Sequence, residues 1–274
     1  MVAQTQTAQE IVQRYARASA ANDLDELATL LGRQGSRIAA VVVEPVLGSG
    51  AVPLTAEYVE ALLRLRDVHG FLLVADEVAT GFGRTGTFFA SQRWPARPDL
   101  LVTSKGLTNG TMAAAAVLVA HRVAASFHDS GTVLTHGETQ AGTPTTCAAI
   151  LATVDEIRRL DAVARGRRLA ELLDAALARL VSDVPSVTAT TGVGCFRSVR
   201  LTSADGEPLP QTEVPGLVAA IRAAGAIVHP GPNGIQLIPA LTYTEAELDE
   251  LFTCVRTGIA AHGGSTPATP EAAR

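Results

Sequence analysis

Apolar positions along the chain fall into short unbroken runs separated by stretches with helical spacing. The runs at 38–43 (IAAVVV), 71–75 (FLLVA) and 99–103 (DLLVT) predict buried strands, and 113–120 predicts another. Helical spacing predicts a short amphipathic helix at 8–19 and a second at 23–31, with Asn22 or Asp23 as its N-cap. A third helix is expected at 56–69, capped by Thr55 and closed by Gly70. Residues 144–181 read as one or two long helices, rich in Ala and Leu on one face and in Arg and Glu on the other. Strands alternating with helices indicate parallel strands of an α/β sheet. In place of a helix before the third strand stands an irregular loop, 79–98.

The pattern changes after 185. VTATTGVGCFRSVRL and GIQLIPALTY are strand-like, and amphipathic helices at 213–224 and 244–261 interleave with them, as in a small α+β domain. The expected organisation is a helical segment at 1–35, part of an α/β domain at 36–150, linking helices at 151–182, a small α+β domain at 183–262 and a disordered tail at 263–274.

Composition narrows the function classes. The chain has 274 residues, 47% hydrophobic and 18% charged, which is too apolar for a disordered protein. Its net charge of −5 argues against a general binder of nucleic acid or anionic membrane. The N-terminal stretch lacks the apolar core of a secretory signal, and no apolar run reaches membrane-span length, so a cytoplasmic location is expected. Cys147, Cys195 and Cys254 form no CxxC or His-bracketed metal pattern and are expected as small buried hydrophobes.

The 22 basic residues comprise 21 arginines and one lysine, Lys105. Codon bias explains a drift from lysine to arginine, and a single lysine also survives by chance. The drift stops, however, where an amine is needed: a guanidinium stays protonated and cannot form an imine. Three expected strands end in an ionisable residue, Glu44, Asp76 and Lys105, and ligands of open parallel sheets bind at the carboxyl ends of strands. Polar residues commonly mark strand ends. This set also has what a pyridoxal phosphate site asks of its protein: an acid to hold a proton on the pyridine nitrogen and an amine to form an imine.

Five stretches carry a resemblance. VVVEPVLGSGAVP at 41–53, LLVADEVATGFGRTGTFFA at 72–90, PDLLVTSKGLTNG at 98–110, THGETQAGTPTTCAA at 135–149 and GAIVHPGPNGIQLIPALTYTEAELDEL at 225–251 resemble the class III aminotransferases, pyridoxal-phosphate enzymes of fold type I. The resemblance runs from about residue 23 to 262. It implies a fold-type I large domain followed by the small domain, with Lys105 as imine former and proton shuttle. It also implies Asp76 on the pyridine nitrogen, Val78 packed against the cofactor ring and Thr139 reaching the phosphate of the other subunit, hence a dimer. Glu44 and Gln236 are expected on the substrate side. The implied reaction moves an amino group between an amine or amino acid and a keto acid, aldehyde or ketone. An aminomutase or lyase uses the same cofactor chemistry. A nicotinamide dehydrogenase is disfavoured, because no G-x-G-x-x-G follows a first strand.

The chain also departs from the family. Only 43 residues precede Glu44, with no Gly-Ser-Glu phosphate loop and Tyr15 as the sole aromatic among them. Half of the large domain, including its anion-binding helix terminus, is therefore expected to be missing, which leaves an apolar sheet edge uncovered. A split enzyme completed by a second polypeptide is the favoured explanation. A truncated, decayed or misassigned chain and a noncatalytic binding or regulatory subunit are the alternatives. Gln236 stands where many members place an arginine that grips an α-carboxylate. Gln140 and Thr143 replace an aromatic and a His or Asn, while Ala79 and SKGLTNG lean toward ω-amine transaminases.

Overall fold

The computed structural model describes residues 21–263; the helix expected at 8–19, Tyr15 and the tail beyond 263 lie outside them. Helix α1 (Leu24–Gln34) starts at Asp23, whose carboxylate accepts the Glu26 N–H at 2.8 Å. Asn22, the other candidate cap, works elsewhere. Its side chain donates to the Pro53 carbonyl at 3.0 Å and accepts the Thr55 N–H at 2.8 Å, tying α1 to the start of the next helix. That helix, α2 (Ala56–His69), is capped by Thr55 and closed by Gly70 at φ 77°, a left-handed geometry that favours glycine.

The first sheet has four strands in the order β1 (Ala40–Val43), β4 (Leu72–Asp76), β5 (Leu100–Thr103), β6 (Ala116–Val119). The first three are parallel, as their apolar runs imply, whereas β6 runs antiparallel to β5. The 12-residue segment that joins β5 to β6 holds only a short turn at Lys105–Leu107 and no crossover helix, so the chain folds back beside β5. The short strands β2 (Val46–Leu47) and β3 (Val52–Pro53) pair as a hairpin after Glu44. One face of the sheet is covered: Leu27 and Leu31 of α1, Tyr58, Ala61 and Leu62 of α2 and Phe71 form a core with Val41 and Val43 against it.

The opposite face is bare. Direct partners in the register share a face, so Val42, Val74, Leu100 and Val119 form one row across it, and Asp76, Val102 and Val117 form the next. Val42, Val117 and Val119 are 64%, 56% and 46% exposed. Helix α3 (His121–Ser130) follows β6 and has no counterpart among the expected elements. It lacks a side-chain cap and buries none of its residues, so neither start signal nor core stripe marks it.

The expected long helical stretch is two helices, α4 (Pro144–Arg159) and α5 (Ala162–Asp183), broken at Asp161, which takes a left-handed φ of 48°. The second sheet is antiparallel throughout, in the order β7 (Val187–Val193), β8 (Phe196–Leu201), β10 (Gly234–Leu237), β9 (His229–Gly231). Helix α5, α6 (Val214–Ala223) and α7 (Glu245–Gly263) pack against it. Leu173, Leu180, Leu217, Ile221, Ile235 and Val255 lie at the centre of one continuous core. The helix α7 reaches Gly263, the first residue of the expected tail.

Cys195 and Cys254 are buried, as expected of small hydrophobes, but Cys147 on α4 is exposed. The core face predicted there from the Ala-rich run is not covered: none of the residues of α4 is buried.

Candidate active site

Three adjacent parallel strands deliver three ionisable residues to one end of the first sheet. Glu44 follows β1, Asp76 ends β4 and Lys105 follows β5, and these strands are neighbours in that order. Asp76 lies level with Val102, three residues before Lys105. The Asp76 carboxylate accepts the Val78 N–H at 3.0 Å, closing a short turn at the strand end. The strand therefore stops at Asp76. Side-chain alternation, the expected reason for Val78 to share the face of Asp76, does not extend to it. Lys105 is exposed, and its backbone is left-handed, with φ 40°. A non-glycine residue held in this region is strained, and such strain persists only where the surroundings impose it.

Glu44 and Gln236 meet through one residue. Gly48 donates its N–H to Glu44 Oε2 at 2.9 Å, and its carbonyl accepts from Gln236 Nε2 at 2.6 Å. Gln236 is buried on β10, in the second sheet. Thr191 on β7 adds a parallel tie, donating to the Gly50 carbonyl at 2.7 Å. Val46 and Ala51 pack on Phe196 beside these ties. The β2–β3 hairpin is thus tied to the second sheet, and Gly48 in its turn links Glu44, just before β2, to Gln236 on β10.

Thr139 makes none of these contacts. It belongs to an exposed stretch, 131–142, and its hydroxyl makes no hydrogen bond among the described residues. The acid and the amine fit a pyridoxal group in type and in placement at strand ends. No cluster of three or more His, Cys, Asp or Glu suited to a metal occurs among the described residues.

Sequence reasoning passed over two residues that shape this end of the sheet. Glu77 is fully buried next to Asp76. Its carboxylate accepts Thr80 Oγ1 at 2.6 Å and the N–H groups of Ala90 and Ser91 at 2.9 and 2.7 Å. A buried carboxylate is tolerable only with such partners, and these three draw the 78–91 loop closed. A charge directly beside an apolar strand, and before a Gly-rich loop, was the available signal. Arg84, in the same loop, donates to the carbonyls of Cys195 at 3.2 Å and Pro239 at 2.5 Å, while its own carbonyl accepts the Cys195 N–H at 2.9 Å. It bolts the Asp76 loop to the strand region that carries Gln236. Burial pulls the Arg84 guanidinium below its ordinary pKa and pushes the Cys195 thiol above its own.

The profile of the family described as aminotransferase class-III matches residues 2–258. An adenosylmethionine-8-amino-7-oxononanoate aminotransferase of Nitratidesulfovibrio vulgaris is 36% identical over 252 residues, covering 87% of this chain and 45% of that protein. An omega-aminotransferase of Caulobacter vibrioides is 34% identical over 240 residues, covering 86% and 54%. Among solved structures, an (S)-enantioselective omega-transaminase from Thermomicrobium roseum superposes with a TM-score of 0.81 at 32% identity, over 94% of this chain and 57% of that one. An amine transaminase from an uncultivated Pseudomonas species, in its PLP-bound form, gives 0.78 at 34%, over 88% and 55%. The chain spans about half the length of the relatives it matches. With the family profile spanning nearly all of it and relatives more than 30% identical over most of its length, the chain belongs to the class III aminotransferases.

Proposed function

We propose that this chain is the lysine-bearing part of a pyridoxal-phosphate-dependent aminotransferase, which moves an amino group between an amine or amino acid and a keto acid, aldehyde or ketone. The observation that carries the reading is the delivery of Asp76 and the sole lysine, Lys105, to the ends of adjacent parallel strands. When bound, pyridoxal phosphate supplies an electron sink for bonds at the carbon that bears the nitrogen. Asp76, fixed by the Val78 N–H, would hold the protonated pyridine nitrogen of that group, and Lys105 Nζ would be the amine that holds its aldehyde carbon and serves as the base for the proton on the substrate carbon that bears nitrogen. Val78 would pack against the ring of that group.

On the substrate side, Gln236 is neutral and its Nε2 is already engaged by the Gly48 carbonyl. That favours amino donors without an α-carboxylate at this position, since a carboxylate would meet no guanidinium there. Thr139 serves the phosphate of a second subunit. Its exposed stretch, with Val133 and Leu134 bare beside it, is suited to reach across a dimer. A second polypeptide, carrying the remaining part of the fold, covers the bare sheet face and brings the phosphate cradle. The three cysteines are free, consistent with a reducing, cytoplasmic setting. No helix among the described residues is long and apolar enough to cross a membrane.

The test is capture of the cofactor. The chain, alone and paired with candidate partner chains, is mixed with pyridoxal phosphate and reduced with borohydride. An adduct mapped to Lys105, strongest in the correct pairing, supports the reading; its absence in every pairing sinks it.

A further inference from the structure

We infer that Phe82 is a positioning residue for Lys105, acting through the notch at Gly106 that its side chain fills. The notch is real space, not backbone freedom. Gly106 does not have a positive φ, so its conformation admits any side chain. A Cβ built there would nevertheless lie 2.7 Å from Phe82 Cδ2, 2.9 Å from its Cβ and 3.0 Å from its Cγ, inside the contact distance of carbon atoms. The ring of Phe82 occupies the place where the residue after Lys105 would otherwise carry a side chain.

Phe82 is itself held firmly. It is buried and left-handed, with φ 58°, and its ring stands edge-on to Phe88 and Phe89, with centroids 5.3 and 5.6 Å away. Phe88 and Phe89 also meet edge to face, at 5.0 Å. Each is an arrangement aromatic rings favour. The Glu77 carboxylate gathers the loop by accepting from Thr80, Ala90 and Ser91. A chain of contacts therefore runs from the end of β4, where Asp76 sits, through Glu77 and the closed loop to Phe82, and from Phe82 to the turn that begins at Lys105. Two left-handed non-glycine residues, Phe82 and Lys105, lie on the two sides of one contact. The contact imposes the strain on the Lys105 backbone and sets where its side chain starts relative to Asp76. The consequence for chemistry rests on the proposed role of Lys105; the contact itself does not.

Because Lys105 is the only lysine, its side chain can be followed alone in the full chain, with a partner chain present where one is needed. Two readouts are compared in Gly106→Ala, Phe82→Ala and the double variant. The first is the rate at which pyridoxal phosphate is captured on Lys105 and fixed by borohydride, with peptide mapping to separate it from the α-amine. The second is the single lysine resonance produced by reductive methylation with 13C-formaldehyde, which needs no cofactor chemistry. The new methyl of Gly106→Ala should push against the ring, displace the resonance and slow capture by up to about a hundredfold, the scale of a 1 Å misplacement. Adding Phe82→Ala makes room for that methyl, so the double variant should move back toward the wild type in both readouts. A Gly106→Ala protein that is folded and indistinguishable from the wild type overturns the inference, as does a double variant no better than Gly106→Ala alone. If Gly106→Ala does not fold, Phe82→Leu decides: a moved resonance supports the contact, and an unmoved one overturns it. A resonance that follows the expected pattern in a chain that never captures the cofactor upholds the positioning role while refuting the proposed role of Lys105.

Discussion

The two sheets of this protein are built to different degrees of completion. The second sheet is closed over by α5, α6 and α7, and its core is continuous, with Leu173, Leu180, Val199, Leu217, Ile221 and Ile235 sealed from solvent. The first sheet is finished on one face only. Its other face presents Val42, Val117 and Val119 to solvent, in the same plane as Asp76. Contiguous bare apolar surface of this kind marks an interaction site in a soluble protein. The comparison teaches that the fold's stability and its chemistry are located differently. The region with the sealed core carries Gln236, while the region that bears Asp76 and Lys105 is the one with the bare face.

The largest effects should separate the two regions. Leu173→Ala or Ile235→Ala empties space in a sealed core and should cost about 2–5 kcal/mol in denaturant unfolding. Val117→Thr or Val42→Thr, on the bare face, should change stability by less than about 0.5 kcal/mol and reduce self-association in light scattering. Equal costs in both places would mean that the bare face is covered in solution, and the contrast would fall.

Next comes the bolt between the regions. Arg84→Ala removes the donor from two carbonyls and should cost about 1–3 kcal/mol. The first sheet should then exchange its amides faster than the second, whereas a uniform rise would show that Arg84 is not a link between them.

Thiol reactivity sharpens the same comparison. Cys147 is exposed and should react with a thiol reagent at once, while Cys195 and Cys254 should react only on unfolding. Burial raises the Cys195 pKa in the folded state above its unfolded value. The stabilisation from keeping this thiol neutral is therefore full below the unfolded pKa, about 8.5 for a free thiol, and is lost as pH rises through the folded one. Unfolding midpoints measured across this alkaline range should fall less in Cys195→Ala than in the wild type.

The smallest effects belong to the caps. Asp23→Ala and Thr55→Ala should each cost about 1 kcal/mol, confined to the first sheet's helices. Circular dichroism melts that show no loss for either would remove the caps from the account of α1 and α2.

Much of this was readable along the chain because it is local. Thr55 and Gly70 bracket α2 in sequence as they do in space, and the apolar runs of β1, β4 and β5 mark themselves. The Asp76 and Lys105 strand ends follow from those runs, since the site of an open parallel sheet lies at its carboxyl edge. Helix α3 escaped notice because it has neither cap nor buried stripe. Arg84 escaped because its partners lie far along the chain, up to Pro239, and Glu77 because its three partners meet only when the 78–91 loop folds back on it. The direction of β6 depends on a connection that forms no crossover helix, and the turn that removes Val78 from the strand pattern is closed by a single hydrogen bond.

From its residues alone, then, this protein is committed to parallel strands, to its capped helices, to a solitary amine and to the acid that precedes it by 29 positions. These are properties of short segments, where neighbours in sequence supply the forces. Only the tertiary structure brings Gln236 to Gly48, locks Phe82 into the notch beside Lys105 and leaves one face of a sheet without a cover. Each of these depends on which distant surfaces meet. A run of valines is equally apolar whether something packs on it or not.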